Sequence, residues 1–154
     1  MKSQNVHIGE VKTGRGNQEL HTILGSCIGI GFLWKKRGFY GLAHCLLPRS
    51  PAKFEGSGGR YVDQAINTLC ERMDITNLKD VRAIVAGGAN MTSPGSNNPE
   101  KLIGYQNAQS AIELLDQMKV RIIHEDTGGY EGRKVSICCE SGDFEVRAIP
   151  RIAA

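Results

Sequence analysis

Residues 27–45 read CIGIGFLWKKRGFYGLAHC, two β-rich runs around the polar turn Lys35-Lys36-Arg37-Gly38, and Pro48 stops the second run soon after. This is the pattern of an antiparallel hairpin. If the turn pairs Lys35 with Gly38, Gly29 faces His44. Side chains alternate with period two along a strand. One face therefore carries Cys27, Gly29, Gly31, Leu33, Tyr40, Leu42 and His44, and the other Ile28, Ile30, Phe32, Trp34, Phe39, Ala43 and Cys45. The second face is the expected core layer, which puts Cys27 and His44 together on the side away from it. They are diagonal neighbours, about 7–8 Å apart at the backbone, and Gly29 leaves room for an imidazole.

Outward from the hairpin, Val6–Val11 is expected as a strand, residues 12–18 as a turn-rich loop and Leu20–Leu24 as a strand. Arg49 to Arg60, with Pro51, Gly56, Gly58 and Gly59, has no periodicity and is expected to be a surface loop able to serve as a lid. Val62, Ala65, Ile66, Leu69, Cys70 and Met73 form one apolar stripe at helical spacing, so a helix is expected over Tyr61–Met73. A buried strand follows at Val81–Ala86, then a loop to Pro94. Asn98-Pro99 supplies a helix start, and Ile103, Ala108, Ile112, Leu115 and Met118 supply the stripe of the second helix. Gly104 weakens its beginning and shifts the firm portion toward Asn107. Val120–Glu125, Lys134–Cys139 and Phe144–Ile149 complete the strands, with Ser141-Gly142 closing the last hairpin.

About seven strands to two helices, several joined by tight turns, do not fit a doubly wound parallel sheet. The expected class is mixed α/β (α+β), mostly antiparallel, with two main helices flanking an apolar sheet face. With 154 residues, one domain over 1–154 is expected.

Composition narrows the function. Nineteen Lys plus Arg against sixteen Asp plus Glu give a net charge of only +3, and four Phe and four Tyr provide few stacking groups. With the basic residues scattered, a nucleic-acid surface is not indicated. The longest apolar run, Cys27 to Trp34, is far short of the roughly 18 residues of a membrane span. The opening MKSQNVHIGEV lacks the apolar stretch of about 7–15 residues in a secretory signal, so the cytoplasm is the expected compartment. Five cysteines at 27, 45, 70, 138 and 139, without C-x-x-C spacing, argue against a disulfide framework or a zinc site, and neither metal nor cofactor is expected.

A cysteine beside an imidazole has the elements of a nucleophile, because the thiolate reacts and the ring can lower the thiol pKa and carry its proton. Gly25-Ser26-Cys27 lies at a turn entering a strand, where unpaired N–H groups, helped by Ser26, could hold an oxyanion. Against this stands packing, since free cysteine is among the most buried residues and a histidine can simply satisfy a carbonyl. Packing is the expected role of Cys45, Cys70, Cys138 and Cys139, and His7 and His124 carry no motif. Gly87-Gly88-Ala89-Asn90 and the glycines from Gly128 to Gly132 lack the order of a phosphate loop, so turns near a site edge are expected there. Arg133 and Lys134 read as solvated charges.

Taken together, Leu24-Gly25-Ser26-Cys27-Ile28, the segment Gly41 to Pro48 with His44, Gly87-Gly88-Ala89, Ile103-Gly104 with Asn107, and Asp126 with Gly128-Gly129 and Gly132-Arg133-Lys134-Val135 resemble the CheD family of chemoreceptor glutamine deamidases over nearly the full chain. The resemblance implies hydrolysis of receptor glutamine side chains to glutamate, with Cys27 as nucleophile, His44 as general base and then acid, and a γ-glutamyl thioester between. It also implies a layered α/β/β sandwich, similar to the catalytic domains of deamidating toxins. The implied partners are the cytoplasmic helices of methyl-accepting chemotaxis receptors and a CheC-type phosphatase, and some members also cleave glutamyl methyl esters. One departure stands out: His21 occupies the place of the threonine that usually orients the histidine, with Thr22 beside it. Either Thr22 on a shifted strand or His21 itself is the third member. The alternative is a catalytically weakened regulatory partner of the phosphatase.

Overall fold

The computed structural model describes residues 1–51, 58–92 and 102–151. The hairpin forms as its pattern predicts. Strands β4 (Ile28–Trp34) and β5 (Phe39–Cys45) pair antiparallel with Gly29 opposite His44, and a 3₁₀ turn at Lys35–Arg37 closes on Gly38. They are neighbours in a five-stranded sheet ordered β2-β5-β4-β6-β7, in which β2 is Val11–Gly14, β6 is Arg82–Gly87 and β7 is Arg121–Thr127. A second sheet of four strands is ordered β1-β3-β8-β9, from Lys2–Asn5, Gln18–Leu24, Gly132–Cys138 and Phe144–Ile149. Among the strand pairings within these sheets, β1–β3 and β6–β7 are parallel and the others antiparallel.

Two helices, α1 (Val62–Arg72) and α2 (Ile103–Gln117), cover one face of the larger sheet. Ile66 and Leu69 of α1 and Ala111 and Leu115 of α2 pack there against Ile28, Ile30, Phe32 and Ala43. The other face is covered by the smaller sheet: Leu42, Leu33 and Ile84 meet Leu20, Leu24, Val135 and Ile137. The fold is thus α+β in three layers, helices on sheet on sheet.

This second core corrects one expectation. The hairpin face bearing Cys27 and His44 does not look outward; it packs between the sheets, leaving Cys27 7% and His44 4% exposed. The physical reason is that β3 and β8 each carry an alternating apolar face of their own, which must also be buried.

The start of the chain also differs from its reading. In place of a strand over Val6–Val11 there is a corner, in which Glu10 N–H donates to the His7 carbonyl and Gly9 takes a positive φ of 84°. The corner carries the chain from one sheet to the other. Residues 12–14, expected as loop, join Val11 in an edge strand because β5 offers them a ladder partner. The second helix begins at Ile103 despite Gly104, whose missing side chain lets the helix approach the Gly88 and Ala89 carbonyls; a Cβ there would lie 2.7 and 2.6 Å from their oxygens. The Asn98-Pro99 start and residues 52–57 of the expected lid fall outside the described residues.

Candidate active site

Cys27 closes the turn between β3 and β4. Its carbonyl accepts from Gly88 N–H at 2.9 Å, and the Gly25 carbonyl accepts from Ala89 N–H at 3.0 Å. These bonds require Gly87 and Gly88 to turn back at the end of β6, with φ of 110° and 67°, which L-residues with side chains rarely adopt. The N–H groups of Gly25, Ser26 and Cys27 donate to no acceptor among the described residues. Met91 lies over this turn, its Cγ 3.3 Å from where a Gly25 side chain would begin.

His44 projects from β5 into the space between the sheets. Thr22 Oγ1 lies 2.7 Å from His44 Nδ1 and donates to the Val6 carbonyl at 2.5 Å, and that carbonyl is 3.1 Å from Nδ1. A carbonyl can only accept. With the Thr22 proton on Val6 O, Nδ1 is the donor in this cluster, which leaves Nε2 as the unprotonated nitrogen. The Val6 oxygen is free for this because the corner after β1 has left the strand ladder. Strand alternation settles the geometry at the neighbouring position: Leu20, Thr22 and Leu24 point inward, whereas His21 and Ile23 point to the outer face. Thr22 is therefore brought to His44, and His21 is not.

Burial favours the neutral form of both Cys27 and His44. Burial pushes the Cys27 thiol above its ordinary range. Burial also holds the His44 imidazole below its ordinary value, opposed by the Val6 carbonyl and reinforced by His7. No hydrogen bond joins the Cys27 thiol to the ring among the described residues. The expected lowering of the thiol pKa is therefore absent; burial favours a neutral thiol and a neutral imidazole over an ion pair.

The remaining residues divide clearly. Cys45 is fully buried in the helix-side core, and Cys139 is buried between the sheets. Cys70 and Cys138 are half-buried. His7 is exposed and bonded to Glu10 at 2.8 Å, and His124 rests against Phe144. Arg133, expected as a solvated charge, is buried: it donates to the Gly128 and Glu131 carbonyls and lies 3.3 Å from Asp126, bracing the loop that contacts Gly87 and Asn90. A cavity of about 340 Å³ lined by Gly88, Leu102, Tyr105 and Tyr130 opens beside that loop, and neither Cys27 nor His44 lines it.

Val6 escaped the sequence reading, which placed Asn107 in a family-like block without giving it a role. Val6 acts through its backbone, which leaves no residue-type signal. Asn107 donates from Nδ2 to the carbonyls of Ser26 at 3.1 Å and Leu46 at 3.0 Å. A polar residue on the apolar side of a helix was the available clue.

Residues 46–148 match the family model described as CheD chemotactic sensory transduction. The chain is 40% identical to the probable chemoreceptor glutamine deamidase CheD 2 of Ruegeria sp. (strain TM1040), over 96% of this chain and 93% of that protein. It is 34% identical to the probable chemoreceptor glutamine deamidase CheD of Bdellovibrio bacteriovorus, over 97% and 96%. Identity to the chemoreceptor glutamine deamidase CheD of Halalkalibacterium halodurans is 32%, over 84% and 85%.

Proposed function

The chain belongs to the CheD family, and from that premise we propose that it deamidates glutamine side chains of chemoreceptors through a Cys27 nucleophile and a His44 base. The observation that carries the reading is the cluster at His44 Nδ1. Thr22 and the Val6 carbonyl hold the ring by that nitrogen, so Nε2 is left basic on the hairpin face that also bears Cys27.

The reaction follows from two neutral groups. As Cys27 Sγ attacks the side-chain carbonyl carbon of glutamine, its proton passes to His44 Nε2. The imidazolium so formed is stabilised at Nδ1 by Thr22 and Val6. The carbonyl oxygen becomes an oxyanion, for which the N–H groups of the Gly25-Ser26-Cys27 turn, without an acceptor among the described residues, would be the donors. Collapse breaks the C–N bond while Nε2 gives its proton to the leaving nitrogen, releasing ammonia and a γ-glutamyl thioester. Water then gives a proton to Nε2 and attacks the thioester, the C–S bond breaks, and the thiol regains its proton, leaving glutamate. A glutamyl methyl ester would meet the same attack with methanol as leaving group. The regulatory alternative rested on His21 replacing the orienting threonine; Thr22 at His44 supports the catalytic reading instead.

The test is incubation with a receptor cytoplasmic fragment, followed by ammonia release and residue-resolved mass analysis. Cys27→Ala and His44→Ala are each expected to lower the rate by at least about 10³-fold while melting as wild type. Wild-type rates in both variants would end this assignment.

A further inference from the structure

Asn107 of α2 ties together two backbone segments far apart in the chain. Its Nδ2 donates at once to the Ser26 carbonyl, one residue before Cys27, and to the Leu46 carbonyl, two residues after His44. The side chain is 0% exposed, and its Oδ1 has no partner among the described residues. A buried acceptor without a partner is costly, so what an asparagine gives here is its donor: an apolar residue would fill the space but take that donor away from the Ser26 and Leu46 carbonyls.

What the two donors accomplish follows from peptide geometry. In a trans peptide the C=O and the following N–H point in opposite directions across one plane. Holding the Ser26 carbonyl toward α2 turns the Cys27 N–H away from the helix layer. The Cys27 side chain points the same way, into the space between the sheets. That N–H meets no acceptor among the described residues. The bond to Leu46 fixes the exit of the histidine strand to the same side chain, so nucleophile turn and base-bearing strand share one anchor.

We propose that Asn107 is a positioning residue that sets the Cys27 N–H as the oxyanion donor, an inference that rests on the Cys27 assignment above. Two reactions of the same sulfur separate this role from a structural one. Attack on an amide builds an oxyanion, whereas alkylation by iodoacetamide displaces iodide at a saturated carbon and builds none. In Asn107→Ala and in the equally sized Asn107→Asp, kcat on a receptor fragment should fall about 10²-fold. KM should stay within about twofold, and Cys27 alkylation within about threefold, of wild type.

A kcat within about threefold of wild type in both variants would overturn the proposal. So would a parallel fall of kcat and alkylation, or failure of both variants to melt cooperatively, since Asn107 would then serve the thiol or the fold at large. Cys27→Ala is measured alongside. If it remains active, the nucleophile assignment itself has failed, an outcome distinct from an inactive Cys27→Ala beside a normal Asn107→Ala.

Discussion

Thr22 illustrates how much one residue's parity decides. Along β3 a shift of one position exchanges the inner face for the outer, so of two adjacent candidates only Thr22 reaches the imidazole. Thr22→Val should therefore lower kcat about 10–100-fold with little change in KM, the usual cost of losing a group that orients a catalytic histidine. His21→Ala should leave kcat within about twofold. Ammonia release from a receptor fragment checks both. The protonation states give a second test. In the proposed reaction neutral imidazole is the base, so activity is expected to be lost as pH falls through the His44 pKa, which burial has moved down. The thiol supplies the proton, so activity is lost as pH rises through the Cys27 pKa, which burial has moved up. The pH profile of kcat/KM should therefore be a broad plateau, with its acid limb displaced below the ordinary imidazole range and its alkaline limb displaced above the ordinary thiol range. An acid limb centred above neutrality would mean an imidazole pKa moved up rather than down and would contradict this account.

At the scale of elements, the hairpin was legible because strict alternation and a polar turn leave one register, and the paired residues are those the pattern predicts. The corner after β1 was not legible. Val6, Ile8 and Val11 look like strand residues locally, but sheet-to-sheet crossing is decided by which edges are available for pairing. The corner nonetheless supplies the carbonyl that fixes the His44 tautomer. Gly87 is the other element boundary on which the site depends. With φ at 110°, an added Cβ would run into the Cys27 carbonyl oxygen, a backbone atom unable to move without shifting the turn. Gly87→Ala should destabilise the protein by about 1–3 kcal/mol and reduce deamidation more than the loss of folded protein accounts for. Denaturant titration with activity on the folded fraction checks this.

For the whole molecule, the larger sheet is shared by two cores, and both must form for the two faces of β4 and β5 to be buried. Phe32→Ala on the helix side should cost about 3–5 kcal/mol, and Leu42→Ala between the sheets about 2–5 kcal/mol, each with a single transition in chemical denaturation. Two separate transitions would show that the layers fold independently. The chain's own periodicity determined strands β3 to β9, both helices, the hairpin register and the sharing of one face by Cys27 and His44, since these follow from spacing along a few residues. Tertiary structure alone decided that this face is buried, that Thr22 meets the imidazole, that Arg133 is interior and that Asn107 anchors the nucleophile turn. Each of those depends on contacts between segments remote in sequence, where local propensity has no information about the partner.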